Sequence, residues 1–581
     1  MALPAPCEAA EALERYLGDP ADPRSRIPWV RALELDEAEQ FPEELLGVVR
    51  EHGVHAYAVP APLGGRLRSF EELYHVVRAL ARRDVVVANV LGTTLLGSMF
   101  TWLAGSDDQK ARLAAAVLGG GLAGLALTEE AHGADTAASE VEARPVPGGY
   151  ELTGTKWLTN NGSRAWALAV LAAVPVDGGR ELGLFLVERS ALAEGSSALL
   201  PKIRTLGVRG LDLCALRFDR CMIPASARIG SLGSGLDTLL RGLYVTRSLC
   251  AGFSLGAADT ALRVTLRFAR ARQLYGATAL DIAEVRGRIA GAFADLLLAD
   301  CVALTAMRGI HVAPEQVSVM SAVVKYWVPT SADAAVRDLA VVLGARHYLR
   351  EGEAAIFQKA LRDGMVVSLF DGSTAVNQYV LGLQLQALGR GRAQRRGLVA
   401  DPRARLLFDL EAPLPPFDAP RLAVLSGGRD LVLEGFAAAV AEVEGRSDEA
   451  ARTIADHARA LVAELERDEA ASRDPLRTNR AADARTPERF EQAMRYAALH
   501  TAAASIQLWL RAPASLGAFF AGGAWLALGL GRLRRRVGHA VPVASVALRE
   551  AVTGEALRRL EEGQAFGVVP IATGVGAGEG R

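Results

Sequence analysis

Residues 166–187 read WALAVLAAVPVDGGRELGLFLV. Two short apolar runs, Trp166–Val174 and Gly183–Val187, are bounded here by Gly, Pro and Asp. Runs of this length closed off by turn residues predict strands. Leu213–Phe218 alternates more clearly, at the period of a half-buried strand. The chain therefore predicts a small β domain from about Gly124 to Ile229. On either side the apolar period is that of a helix. It runs through Phe41–Val49 and Phe70–Leu80, is broken at Pro60–Gly65, and returns from Gly235 to about Leu388.

Helical, β, helical is an α+β order rather than an alternating βαβ one. The predicted divisions are a helical domain 1–123, a β domain 124–232 and a helical domain 233–400. Pro413, Pro415 and Pro416 mark 401–420 as a linker. The Ala-rich, charged stretch 421–565 predicts an additional helical domain, and the Gly-rich 566–581 a flexible tail. A Rossmann site needs a strand, a Gly loop and then a helix. The nearest match, Gly574–Gly578, sits in the tail with no helix after it.

Composition narrows the function. Half of the 581 residues are hydrophobic and 23% are charged, which permits large cores. Lys plus Arg number 65 and Asp plus Glu 66, so no net charge draws the chain to nucleic acid or an anionic membrane. Cys7, Cys214, Cys221, Cys250 and Cys301 are scattered and odd in number, which suits a reducing cytoplasm better than a disulfide framework. No CxxC or HExxH occurs, and the nine histidines do not cluster, so no metal is expected. The N-terminus has no basic-then-apolar start and predicts no secretory signal. Ala512–Gly531 is uncharged over twenty residues and is followed by Arg532, Arg534, Arg535 and Arg536. Its length could span a bilayer, but its Gly and Ala content and Pro513 favour a buried helix pair.

Four motifs carry chemistry. The first is Leu127-Thr128-Glu129-Glu130-Ala131-His132-Gly133-Ala134-Asp135, and the second Gly154-Thr155-Lys156-Trp157-Leu158-Thr159-Asn160-Asn161-Gly162. The third, Phe268-Ala269-Arg270-Ala271-Arg272-Gln273-Leu274-Tyr275-Gly276, closes a helical stretch. The fourth is Arg362-Asp363 followed by Ser368-Leu369-Phe370-Asp371-Gly372-Ser373. In this order they resemble the acyl-CoA dehydrogenase family, whose TEP-x-x-GSD, G-x-K-x-W-I-T-N-G, Y-A-x-x-R-x-x-F-G and R-D…Y-E-G-T segments they match in layout over most of residues 30–390. The resemblance implies a middle domain that is a small β-barrel, a four-helix bundle after it, and FAD as cofactor.

The resemblance assigns roles residue by residue. Leu127 and Thr128 would meet the pyrimidine edge of the flavin, where fixed donors stabilise the charge gained on reduction. The second motif would lie over the flavin. Counting from Gly154 and Lys156 selects Leu158 and Asn160, whereas aligning the Trp selects Trp157 and Thr159; in a strand the two registers face opposite ways. Arg272 would reach the FAD diphosphate across a subunit interface, as a guanidinium fork suits a diphosphate. Gly344-Ala345 partly matches a Gly-Gly pair that approaches the diphosphate. Ala134 stands where the family often has a Ser contacting CoA, Glu130 replaces the Pro, and Ala283 replaces a downstream Gln.

Asp371 matches the family's catalytic Glu, so the resemblance implies that it removes the α-proton of an acyl thioester while the β-hydrogen leaves as hydride to the flavin. The Asp371 amide would bind the thioester carbonyl, with Gly372 beside it at the substrate. Arg247 would position this segment, and Thr246 before it offers no alternative carboxylate. A competing reading makes Asp371 a helix N-cap. The resemblance further implies an acyl-CoA or acyl-carrier-protein substrate, an electron-transfer flavoprotein as acceptor, and a homodimer whose larger assembly is blocked by residues 421–581. Alternative functions on the same fold are a flavin oxidase of the nitroalkane-oxidase type and a catalytically weakened flavin-binding partner.

Overall fold

The computed structural model describes residues 4–395, 401–472 and 485–574. The chain divides into two units, one of residues 34–68 and 86–246, the other of residues 1–33, 69–85 and 247–581.

The first unit holds the sheet. Its strands are β1 (Leu122–Ala126), β2 (Glu142–Val146), β3 (Gly149–Asn160), β4 (Ala165–Val176), β5 (Gly179–Glu188), β6 (Ser197–Leu199), β7 (Leu213–Pro224) and β8 (Arg228–Ile229). They are ordered β6-β7-β3-β2-β4-β5-β8, and β1 lies parallel to β4. Two-residue turns at Pro147-Gly148 and Asp177-Gly178 join β2 to β3 and β4 to β5, with each glycine at positive φ. In β4 every residue from Ala167 to Ala173 is buried, which is why that run is continuously apolar rather than alternating. Leu152, Val170, Val174, Phe185, Phe218 and Ile223 belong to the core beneath. The expected barrel is not found: the path ends at β6 and β8 without closing among the described residues. Closure needs strands long enough to pair all the way round, and these two have three and two residues.

Helix Val85–Ala104 packs on this sheet at very short range. A Cβ on Gly97 would lie 2.5 Å from the Gly124 backbone, so glycine lets the helix touch β1 just before the first motif.

The second unit is helical. Helix Ala283–Val312 packs against Ala251–Ala271, Val317–Leu343, Pro487–Leu510, Ala524–Arg536 and Val546–Glu561. Apart from Asp295, every residue from Ile289 to Val312 is buried. A helix apolar on all sides must be covered on all sides. Its charges are paired: Asp300 with Arg78 at 2.7 Å, Arg308 with Glu71 at 2.6 Å and Asp295 with Arg532 at 2.7 Å.

Two expectations about the second half of the chain are corrected. The stretch 401–420 is not a free linker: Arg308 donates to the carbonyls of Leu406, Asp409 and Ala412 at 2.6–2.8 Å, and Leu407 and Phe408 are buried. Residues 566–573 are not a loose tail. Phe566, Val568 and Val569 are buried, Thr573 donates to Gly563, and the amides of Phe566 and Val568 bond Asp259 and Asp300. The rest of the Gly-rich end, with most of the Gly574–Gly578 match, lies outside the described residues. Arg392, near the end of helix Thr374–Arg395, is buried, 5.5 Å from the Tyr496 ring.

The uncharged stretch forms helices Gly517–Gly522 and Ala524–Arg536, with Gly523 between them at φ +70°. With the turn before it this pair bends by 55°, and Phe520 and Trp525–Gly531 are buried within the unit. Two other helices, Val85–Ala104 and Ala283–Val312, are long and apolar enough to cross a bilayer; their most apolar stretches are 83% and 94% buried in protein.

Candidate active site

In the first unit the structure joins the first two motifs. Strand β1 ends at Ala126, and the next two carbonyls are held by β3: the Trp157 amide donates to Thr128 at 2.7 Å and Lys156 Nζ to Leu127 at 3.1 Å. Glu129 turns inward, where Lys156 Nζ donates at 2.6 Å, as do the Ser139 hydroxyl and the amides of Glu140 and Val141. Burial alone would raise the Glu129 carboxyl; the Lys156, Ser139 and Glu140 hydrogen bonds outweigh it and hold it down to about 2. Glu129, His132 and Glu140 bring one ligand atom each within 4.8 Å of one another. Because the Glu129 oxygens are already committed to these donors, the group is a loop lock rather than a ready metal site. Ala134 is exposed on the loop that follows.

The register of β3 follows neither alternative. Lys156 pairs with Leu216 and Thr159 with Cys214, so Trp157 and Leu158 together face one residue of β7. This is a bulge, with Leu158 at φ +52°. A branched-chain residue in this region is strained, and such strain gathers at functional sites. The bulge buries both Lys156 and Thr159, leaves Trp157 half-buried and exposes Leu158. The Asn160 amide is spent on Asn89 and Thr93 of helix Val85–Ala104, at 2.7 and 2.6 Å. What reaches the surface beside Thr128 is thus the indole and an exposed aliphatic side chain, a face suited to a planar heteroaromatic ring.

In the second unit, helix Ala251–Ala271 ends at Arg272, whose side chain is exposed. A two-residue turn follows, with Tyr275 and Gly276 both at positive φ, the type I′ geometry. Gly344 ends helix Val317–Leu343 at φ +57°, exposed, and a Cβ there would meet nothing within 4 Å. Two residues on, Arg346 lies 5.3 Å from the ring of Phe268, which brings the Gly344 turn to the end of the Arg272 helix. An open glycine turn near a guanidinium on the surface fits a phosphate-bearing group.

Asp371 lies in a turn before helix Thr374–Arg395. It is not the cap of that helix: Ser373 Oγ accepts the Val376 amide at 3.4 Å and Ser373 O the Asn377 amide. Asp371 and Gly372 are both left-handed, at φ +50° and +87°. Arg247 Nε donates to the Asp371 carbonyl at 2.7 Å and lies 3.6 Å from its carboxylate. A Cβ on Gly372 would sit 2.9 Å from the same guanidinium, so only glycine fits under Arg247. The Asp371 side chain is 3% exposed, with Cys250 Sγ 3.9 Å from Oδ2. Burial pushes the Cys250 thiol up to about 12, assisted by the Asp371 charge, so it stays protonated as a weak donor.

Motif reading missed two neighbours of this turn, Cys250 and Lys325. Lys325 was visible as the single charge in the apolar run Val317–Val328, and a lone ion in such a run must find partners when it is buried. Arg362 and Asp363 have a different part. Asp363 is buried against Lys359 at 2.6 Å, and Lys359 also bonds Asp84 at 2.8 Å, so the pair anchors helix Ala355–Met365.

Comparison with known proteins bears on the whole layout. Models of the acyl-CoA dehydrogenase N-terminal, middle and C-terminal domains match residues 25–121, 124–221 and 233–384. A probable acyl-CoA dehydrogenase of Mycobacterium tuberculosis (strain ATCC 25618 / H37Rv), FadE25, is 25% identical over 356 residues, covering 61% of this chain and 90% of that protein. Cyclohex-1-ene-1-carbonyl-CoA dehydrogenase of Geobacter metallireducens is 26% identical over 360 residues, 61% of this chain and 93% of that protein. Among solved structures, an acyl-CoA dehydrogenase complexed with FAD from Bacillus anthracis matches with a TM-score of 0.70 at 17% identity, over 95% of this chain and 94% of that one. Three domain models in sequence, full-length relatives and a shared fold lead to one conclusion: this chain belongs to the acyl-CoA dehydrogenase family, FAD-dependent oxidoreductases acting on CH–CH bonds.

Proposed function

We propose that this chain dehydrogenates the α,β bond of an acyl thioester with Asp371 as general base, that Leu127, Thr128, Trp157 and Leu158 hold the flavin, and that Arg272 and the Gly344 turn reach the diphosphate of an FAD held by the neighbouring subunit. The observation that carries the assignment of the base is the turn itself. Ser373 takes the capping role, so the left-handed geometry of Asp371 is not explained by helix initiation. Strain of this kind is retained where chemistry needs it.

FAD, when bound, supplies the hydride acceptor. Thr128 and Trp157 would bind and orient its ring face, and Arg272 with the Gly344 turn would bind the diphosphate of the FAD held by the neighbouring subunit. Asp371 would receive the α-proton. Its enclosed carboxylate first rotates away from Cys250 to reach a substrate carbon. Arg247 would hold the turn through the Asp371 carbonyl, and the amides of Asp371 and Gly372 would polarise the thioester carbonyl, which makes the α-hydrogen acidic. Acyl-CoAs of graded chain length, and an acyl-carrier-protein thioester, added to the FAD-loaded protein should bleach its flavin absorbance. No bleaching with any acyl thioester would reject the reading. Reoxidation by an electron-transfer flavoprotein faster than by oxygen is the companion expectation.

Arg272→Ala is expected to be purified largely without FAD, because a diphosphate loses its charge-assisted donors. Flavin absorbance per chain measures this, and full occupancy in the variant removes Arg272 from the site. The assembly is proposed to be a homodimer. Helix Ala283–Val312 is covered by the chain's own helices Pro487–Leu510, Ala524–Arg536 and Val546–Glu561, which leaves that face unavailable to another subunit. Light scattering should give twice the chain mass; a tetramer would overturn the dimer.

A further inference from the structure

Lys325 is 1% exposed, and its ammonium donates to three backbone carbonyls: those of Val367 at 2.6 Å, Phe370 at 2.7 Å and Gly372 at 3.0 Å. Its charge also lies 5.2 Å from the Phe370 ring. An ammonium has three donors, and three carbonyls use all of them. Burying this charge is costly, and the three carbonyls that stabilise it all lie in or beside the turn that carries Asp371. The retained charge therefore needs a reason beyond packing.

The peptide geometry supplies one. No peptide bond here is cis, and in a trans peptide the C=O and the following N–H point in opposite directions. Lys325 captures the Phe370 carbonyl, so the Asp371 N–H points away from Lys325. Arg247 captures the Asp371 carbonyl, so the Gly372 N–H points away from Arg247. The Gly372 carbonyl is held from two directions, by Lys325 and by Asn377 Nδ2 at 2.9 Å. Two cations thus pull in the oxygens of consecutive residues and turn the intervening amides away from themselves. The same interactions hold Asp371 and Gly372 left-handed, a conformation a non-glycine residue does not keep unaided.

We propose that Lys325 is a positioning residue for the reaction, orienting the Asp371 amide as a hydrogen-bond donor to the substrate's thioester carbonyl. This rests on the reading of Asp371 as the base-bearing residue. A positive charge behind the Phe370–Asp371 peptide also polarises it, which strengthens the N–H as a donor.

The test uses FAD-loaded protein and an acyl-CoA labelled with ¹³C at the thioester carbonyl. In Asp371→Asn, which is expected to reduce its flavin about 10²- to 10⁴-fold more slowly, infrared difference spectra taken before reduction report the carbonyl stretch of the bound substrate. Hydrogen bonding should lower that frequency from its value in free acyl-CoA. Adding Lys325→Met should move it back towards the free value. In the otherwise native chain, Lys325→Met should slow flavin reduction about 10- to 100-fold, below the roughly 10²–10³-fold loss of a whole oxyanion donor. Substrate dissociation should change less than about threefold, and Lys325→Arg should recover part of the rate. If Lys325→Met does not retain FAD, Lys325→Gln, with two donors, is read by the same frequency. An unmoved stretch in the double variant, with Asp371→Asn slowed, rejects the role of Lys325 alone. Flavin reduction by Asp371→Asn at the parent rate instead rejects the base reading.

Discussion

Asp371→Asn should bind FAD and acyl-CoA as the parent does and reduce its flavin about 10²- to 10⁴-fold more slowly, the range set by loss of a general base. The amide keeps the shape of the carboxylate, and the turn is held through its backbone as well. Arg247 and Lys325 bind carbonyls, and Ser373 caps the helix. The fold and the substrate's carbonyl site are therefore expected to survive while proton abstraction fails. Stopped-flow absorbance of the flavin band measures it directly, and reduction at the parent rate would remove the central residue from the mechanism. Asp371→Glu is the complementary variant. Aspartate is one methylene shorter than the family's glutamate, and a displacement of about 1 Å can cost about a hundredfold. Either the neighbouring groups have closed around the shorter side chain or turnover is slow. A faster Glu variant indicates the second. A slower one indicates the first, with Cys250 at 3.9 Å from the carboxylate as the group the longer side chain would meet.

Asp300→Ala should destabilise the second unit by roughly 3–5 kcal/mol, the cost of leaving a buried ion without its counter-charge. Asp300 accepts from Arg78 at 2.7 Å, from the Tyr74 hydroxyl at 2.5 Å and from the Val568 amide at 2.7 Å. Arg78 in turn donates to the Phe566 carbonyl at 3.0 Å, so the same carboxylate secures the end of the chain. Its loss should lower the denaturant midpoint and open residues 564–573 to proteolysis. Adding Arg78→Met to Asp300→Ala should restore part of the stability, because it removes the stranded charge. Equal stability of the two variants would show that the ion pair was not the source. The pH dependence has a definite sign. Burial would raise the Asp300 carboxyl, but Arg78, Tyr74 and the Val568 amide outweigh it and hold it below the usual range. Such a group contributes fully above its unfolded value of about 4 and loses that contribution as the pH falls towards the lower folded value.

Much of the architecture was legible from periodicity. The run 166–187 predicted strands, and β4 and β5 occupy it. The helical spacing at Phe70–Leu80 predicted the helix Phe70–Ala81. The buried pair at 512–536 followed from composition, since glycine and alanine allow close packing but too little apolar surface for a span. The barrel was not legible, because closure depends on the lengths of edge strands that local sequence hardly marks. The linker and tail were misread for a related reason. Pro- and Gly-rich segments lack helical or strand period, yet a buried Arg308 or Asp300, 98 to 268 residues away in the chain, can satisfy their backbone.

The division between sequence and tertiary structure is sharpest at the motif segments. The order of residue types along 127–135, 154–162, 268–276 and 362–373 sufficed to indicate the family, because each chemistry needs particular groups at particular spacings. The register of β3 could not be counted from either end of its motif, since the bulge at Trp157 and Leu158 adds one residue and turns Lys156 and Thr159 inward together. The N-cap question at Asp371 was open in the sequence, because Asp and Ser are both good caps; the start of the helix at Thr374 gave the role to Ser373. Lys325 lies 46 residues before Asp371, and only the packing of helix Val317–Leu343 against the turn brings its ammonium to those carbonyls. Local sequence determines which groups are available and which period they follow; long-range burial determines which backbone atoms they must satisfy.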